Sequence, residues 1–183
     1  MTDRYIHHPW HGVDIGANAP DIVTTYIEIT PSDTVKYEID KASGWLKVDR
    51  PQKFSNIVPA LYGFIPQTYG GDKDPLDILV ISSISVQPLC IVKAKVIGVM
   101  QMIDSGDADD KIIAVSADDK SVSHIDNIEE MPKHFFDELR QFFEEYKKLE
   151  NKTVKVEEFQ NKAMAISIVE EAIASYQKHF ATY

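Results

Sequence analysis

The order of the apolar patterns along the chain predicts an α+β fold. β-branched and alternating runs fill residues 22–115, and from Pro132 the apolar period changes to three and four. No internal repeat, low-complexity stretch or linker divides the 183 residues, so one domain over 1–183 is expected. Hydrophobic residues make up 44% of the chain, enough for a core.

Residues 1–20 read as irregular. His7, His8 and His11 flank Pro9-Trp10, and nothing in their spacing sets them on one helix face. They are expected in terminal packing or a subunit contact and not around a metal. Ile22 to Ile29 is rich in β-branched residues and Tyr and reads as a strand, with Glu28 near its end. Thr30-Pro31-Ser32-Asp33 is a turn. Val35-Lys36-Tyr37-Glu38-Ile39 alternates strictly, which predicts a strand with Lys36 and Glu38 on its charged face. After a turn over Asp40 to Gly44, Trp45 to Val48 reads as the partner strand of a hairpin, ended by Asp49-Arg50-Pro51.

Residues 51–70 read as a loop-rich passage, with Pro59, Tyr62-Gly63 and Pro66. Tyr62 beside Gly63 could place a phenol in a cleft, though a core Tyr is the commoner outcome. Gly70-Gly71 then opens a loop with three carboxylates, Asp72, Asp74 and Asp77, stiffened by Pro75. Ile78 to Ile81 is continuous and apolar, a buried strand. A long strand follows from Ile91 to Met102, where Gly98 predicts a bulge or bend. Cys90, just before it in Pro-Leu-Cys-Ile-Val, reads as a buried structural thiol. A second acidic loop, Asp104 to Lys111, leads into the apolar Ile112 to Val115. Phe135, Phe136, Leu139, Phe142, Phe143, Tyr146 and Leu149 recur at helical spacing, predicting one helix from Pro132 to about Glu150. On that spacing Tyr146 is a core residue and Lys147 a surface one. A short strand is expected at Thr153 to Val156. A last helix is expected from Lys162, with Ile166, Val169, Ile173 and Tyr176 inward.

Composition narrows the function. The formal net charge of −10 opposes nucleic acid as a partner, because a phosphate backbone needs a basic face. It leaves room for a small phosphate substrate, since metals, Lys and Arg can reverse the field inside one pocket. No apolar run approaches the ~20 residues of a membrane span, so no membrane role is expected. Met1-Thr2-Asp3-Arg4-Tyr5 lacks the build of a signal peptide, and the single Cys90 cannot form an internal disulfide. A cytoplasmic protein is the expectation.

A lone Asp-x-Asp reads as a solvated acidic turn. Here two acidic loops each sit at a strand end, and their convergence would build a multi-metal site. Like charges packed together need something positive. Oxygen ligands without Cys or His suit a hard cation, Mg²⁺ or Mn²⁺. No phosphate-binding Gly loop, dinucleotide fingerprint or nucleophile elbow is present. Metal-assisted hydrolysis of a small phosphate ester or anhydride is the chemistry left.

Several short motifs then carry a resemblance. Lys36-Tyr37-Glu38, Val48-Asp49-Arg50, Tyr62-Gly63, Asp72-Lys73-Asp74-Pro75-Leu76-Asp77, Asp104 with Asp109 and Lys111, and Tyr146-Lys147 stand in this order. In that set the chain resembles the family I soluble inorganic pyrophosphatases, in their short bacterial form. The resemblance implies a small five-stranded β-barrel of the oligonucleotide-binding type with helices packed outside. It implies Mg²⁺-dependent hydrolysis of pyrophosphate to two orthophosphates, with Mn²⁺ a plausible substitute and a metal-bridging water or hydroxide as nucleophile.

By the same resemblance Asp72, Asp77 and Asp109 would hold a first metal, with Asp77 shared by a second. Asp104 and Asp109 would hold a metal arriving with substrate, and Glu38 a further one. Lys36, Arg50, Tyr62, Lys111, Tyr146 and Lys147 would grip the phosphates, Asp74 would be the general base, and Glu28 a supporting acid. A homohexamer is also implied. Three departures stand out, one of them a turn between Glu28 and Lys36 about one residue shorter than in familiar relatives. Lys73 occupies a position where the family usually has Gly or another small or acidic residue, and Val58 one where some relatives carry Tyr. Other readings are a nucleotide pyrophosphohydrolase, which lacks a visible base-stacking platform here, and a metal- or nucleic-acid-binding barrel without catalysis.

Overall fold

The computed structural model describes residues 7–51 and 58–180. The readings made for residues 1–6 and for 52–57 lie outside the described residues. The strands are β1 (Ile22–Ile29), β2 (Val35–Ile39), β3 (Leu46–Pro51), β4 (Leu61–Phe64), β5 (Asp77–Ile81), β6 (Ile91–Asp104), β7 (Asp107–Ala108), β8 (Lys111–Ser116) and β9 (Val154–Asn161). The helices are α1 (Lys133–Glu145) and α2 (Lys162–Phe180). The α+β order is as the sequence predicts.

The expected barrel is a closed ring of five strands. β1 pairs with β4, β4 with β5, β5 with β8, β8 with β6, and β6 returns to β1. All of these pairings are antiparallel except β5–β8, which is parallel. β9 lies along β6, β7 folds back on its end, and β2–β3 forms a separate two-stranded hairpin. No helix among the described residues is long and apolar enough to cross a membrane.

The continuous apolar runs of β5 and β8 have a physical cause. Ile78, Val80, Ile112 and Ala114 pack in one cluster with Ala165, Val169 and Ala172 of α2. Leu79, Ile113 and Val115 pack in another with Leu139, Phe142 and Phe143 of α1. Both faces of these strands are buried, so alternation with polar residues disappears. The two helices thus join the apolar clusters on opposite faces of these strands.

Local differences from the sequence reading each have a reason. The passage over 51–70 contains a barrel strand, β4. Its Gly63 lies so close to β1 that a Cβ there would stand 1.9 Å from the Tyr26 carbonyl oxygen. Glycine there marks strand packing and not a loop. The predicted bulge at Gly98 is real, as the β6–β8 register shifts between Val96 and Gly98. Helix α1 stops at Glu145, and Lys148–Glu150 forms a separate 3₁₀ turn. Tyr146 still has helical dihedrals, but Lys147, at φ −107° and ψ 2°, leaves the helix path. The strand expected at 153–156 extends to Asn161 because β6 continues as its partner. In α2 the buried stripe is Ala165, Val169 and Ala172, with Ile166 and Ile173 only half-buried, since small residues allow the helix to approach the sheet. Cys90 is half-buried, not enclosed.

Gly63→Ala should destabilise the protein by roughly 3 kcal/mol, the cost of overpacking against rigid backbone. Urea denaturation of both proteins measures it, and equal midpoints would show that β1 and β4 can separate cheaply.

Candidate active site

Every side chain that the resemblance selects lines one cavity of about 350 Å³. β1 supplies Glu28, the β2–β3 hairpin Lys36, Glu38 and Arg50, and β4 Tyr62. The acidic loop supplies Asp72 and Asp74, and Asp77 opens β5. Asp104 ends β6, Asp109 and Lys111 lie at the entry to β8, and Tyr146 and Lys147 follow α1. The charged face of β2 therefore forms a wall of the cavity. Lys147 is also no surface residue: its side chain is 14% exposed and pairs with Asp104. Tyr62 and Tyr146 do pack against Phe143 of the core, yet both line the cavity.

Lys111 lies at the centre. Its Nζ donates to Asp77 Oδ2 and to Asp109 Oδ1, each at 2.5 Å, and the side chain is almost fully buried. The Tyr62 hydroxyl donates to the same Asp77 oxygen at 2.5 Å. Burial alone pulls an ammonium pKa down, but the carboxylates of Asp77 and Asp109 reverse this and push Lys111 well above its usual range. Burial, then the charges of Asp77 and Asp109, raise the Tyr62 phenol, which stays a neutral donor. Tyr146 is raised chiefly by burial as well.

The remaining charges are interleaved. Lys36 Nζ lies 3.1 Å from both Glu38 and Asp49, and these partners outweigh burial to raise its pKa. Arg50 donates through Nη1 to Asp49 and through Nε to Glu150, both at 2.8 Å. Its Nη2 is buried and makes no hydrogen bond among the described residues. Lys41, in the hairpin turn, pairs with Asp74. Burial favours the neutral form of Asp104, but hydrogen bonds from Lys147 and Ser105 overcome it and hold the carboxyl below its usual range. Glu28, beneath the hairpin, is 5% exposed and accepts a 2.7 Å hydrogen bond from the Ile39 amide. Burial, then the charge of Asp77, pushes it up to about 8.

Among the described residues, no three His, Cys, Asp or Glu side chains are gathered tightly enough to enclose a metal ion. Lysines stand between the acids instead. The donor set nevertheless fits a hard divalent cation, since it offers carboxylate oxygens alone. Burial raises Asp72 and Asp109, and the charge of Asp77 pushes both further. Added positive charge would relieve that strain. The buried Arg50 Nη2 in turn fits an oxyanion, which accepts from such a fork.

Lys41 and Glu150 escaped the sequence reading. Nothing in a turn lysine or a helix-end acid signals a partner on another element. Asp49 was visible inside Val48-Asp49-Arg50, though not its double pairing with Lys36 and Arg50.

A family model described as inorganic pyrophosphatase matches residues 25–177. The chain belongs to the inorganic pyrophosphatase family. It is 47% identical to soluble inorganic pyrophosphatase 5 of Arabidopsis thaliana over 94% of this chain and 80% of the plant protein. Against the inorganic pyrophosphatase of Thermus thermophilus the TM-score is 0.88 at 35% identity, covering 92% of this chain and 99% of that one. For the Helicobacter pylori enzyme the values are 0.85 and 43%, over 90% and 98% of the two chains.

Within this pyrophosphatase chain, Lys73 now has a structural explanation. It is exposed and adopts φ +69°, in the left-handed region where glycine carries no penalty. Its side chain stays out of the acidic cluster, and only its backbone is strained. Lys73→Gly should therefore keep turnover and stabilise the protein or leave it unchanged, as relief of about 1 kcal/mol of strain offsets the added chain entropy. Thermal unfolding beside a phosphate-release assay checks this. Loss of turnover in a folded variant would place Lys73 in the machinery.

Proposed function

We propose that the chain hydrolyses inorganic pyrophosphate to two orthophosphates, with Mg²⁺ as cofactor and Mn²⁺ as a substitute. The observation that carries this reading is the meeting of both acidic loops and the cationic side chains in one cavity of a pyrophosphatase-family chain. Asp72, Asp77 and Asp109 would hold a first cation, with Asp77 shared by a second. Asp104 and Asp109 would hold one that arrives with substrate, and Glu38 a further one. Bound there, such cations would supply an acidified water and positive charge toward the phosphoryl groups.

The chain's own groups do the rest. Pyrophosphate offers charge and no hydrophobic handle, so Lys36, Arg50, Lys111 and Lys147 bind it through ion pairs. Tyr62 and Tyr146, held neutral, donate hydrogen bonds to its oxygens. Arg50 brings a buried donor that no group among the described residues consumes. Preorganised donors of this kind stabilise the charge that builds on the leaving phosphate. Asp74 takes the proton of the attacking water, a step worth ~10²–10⁴-fold. Glu28 supports the hairpin through its bond to Ile39.

Phosphate release from pyrophosphate with Mg²⁺, compared with release from ATP, tests the substrate. Turnover should be confined to pyrophosphate, and equal rates would favour a nucleotide pyrophosphohydrolase. Two variants divide the acidic loop in the same assay. Asp74→Asn should lower kcat by ~10²-fold or more while Mn²⁺ affinity changes little. Asp77→Asn should weaken both. The reverse pattern would exchange the two roles.

A cytoplasmic homohexamer completes the proposal. Association between subunits is supported by large apolar side chains at the surface, among them Trp45, Val48, Leu89 and Ile91. Light scattering should give the mass of six chains, and a monomer's mass would remove that part.

A further inference from the structure

We infer that Thr68 is a positioning residue that sets where the acidic loop presents Asp72, Asp74 and Asp77. The inference rests on the multi-metal reading above and deepens it. The β4–β5 ladder reaches Phe64 opposite Asp77 and continues one step, with the Ile65 amide donating to the Leu76 carbonyl at 2.9 Å. Beyond it the two chains part around the loop. Thr68, fully buried, takes over at that point. Its hydroxyl donates to the Ile65 carbonyl at 2.6 Å and accepts from the Leu76 amide at 2.9 Å. One side chain thus replaces the next rung of the ladder, using the donor and an acceptor that a hydroxyl offers.

The loop above is internally tied. The Gly70 amide donates to the Asp74 carbonyl at 2.7 Å, the Lys73 amide to the Gly70 carbonyl at 3.1 Å, and the Asp74 amide to Asp72 Oδ1 at 3.0 Å. A loop closed on itself moves largely as a unit, so its base decides its orientation. Leu76 is the last residue before Asp77, and a displaced Leu76 amide shifts both. Thr68 is itself anchored from behind. Its carbonyl accepts from the indole of buried Trp10 at 2.8 Å, and the Gln67 amide donates back to the Trp10 carbonyl at 2.9 Å. Next along the chain, the Tyr69 amide donates to the Ala172 carbonyl of α2 at 3.0 Å. Lys36, Arg50 and Lys147 come from other elements, so Thr68 acts directly on the carboxylates and reaches Lys111 and Tyr62 only through their bonds to Asp77.

The test is Thr68→Val, which keeps the shape and removes the hydroxyl, beside Thr68→Ser, which keeps the oxygen. Equilibrium Mn²⁺ titration should show affinity about tenfold weaker in Thr68→Val, the scale of lost support behind a ligand. At saturating metal kcat should fall and KM for pyrophosphate should hold. Thr68→Ser should restore Mn²⁺ affinity to within about twofold of wild type. A role in stability alone would lower the unfolding temperature in chelator and leave affinity and kcat untouched, and that result overturns the inference. Wild-type protein that binds no Mn²⁺ would instead sink the multi-metal reading and this inference with it. Should Thr68→Val not fold, Trp10→Phe removes the indole bond to the Thr68 carbonyl, with part of the ring packing on His11 and Phe180, while leaving the Thr68 hydroxyl in place. It should weaken Mn²⁺ in the same direction, and unchanged affinity there overturns the inference as well.

Discussion

The site depends on one buried ammonium. Lys111 is 2% exposed, and a lone charge so placed would cost several kcal/mol. It is tolerable because Asp77 and Asp109 stand on either side of it. Strand topology arranges this meeting. β5 and β8 run parallel with Ile78 opposite Ile112, so Asp77 and Lys111, one residue earlier on each strand, enter the barrel side by side. Parallel neighbours start at the same end, and two separate acidic loops are thereby brought to one mouth. An antiparallel pairing would send them to opposite ends.

Below that mouth both strand faces are apolar, and above it carboxylates and cations stand among aromatic and aliphatic side chains. The boundary falls at the strand starts. The phenol of Tyr62 reaches it from β4, and the hairpin covers it with Lys36, Glu38 and Arg50. Low dielectric below and dense charge above explain why burial is the first cause of the raised values at Glu28, Tyr62, Asp72 and Asp109. The same environment makes each retained hydrogen bond strong and each missing one costly. Close packing beneath the site is part of this. Gly63 lets β4 press on β1 until no Cβ fits, and that contact carries Tyr62 to Asp77.

Much of this was legible in the sequence because the informative residues are local. Asp72 to Asp77 and Asp104 to Lys111 are contiguous, and hairpin alternation set Lys36 and Glu38 on one face. What was missed depends on contacts between distant segments. β4 hides behind Gly63, which reads as a loop residue until β1 is seen against it. The end of α1 is invisible because Tyr146 keeps the apolar spacing while the backbone turns away at Lys147. Lys41 and Glu150 carry no pattern, and only folding brings them to Asp74 and Arg50. Lys73 shows the reverse case. As a cation among acids it looks disruptive, but a left-handed backbone and an exposed side chain keep its charge outside.

A chain of net charge −10 can still hold an anion, because the sign that matters is local. Lys36, Arg50, Lys111 and Lys147 face a single cavity, and their side chains are at most 24% exposed. Nucleic acid needs the opposite arrangement, with cations spread along an open surface to follow a backbone. Here the cations are recessed among carboxylates, so an extended polyanion meets the acidic exterior before it can reach them. A cavity of about 350 Å³ admits a compact anion and the cations that accompany it. Size and the depth of the positive charge therefore select a small polyphosphate over a polymer.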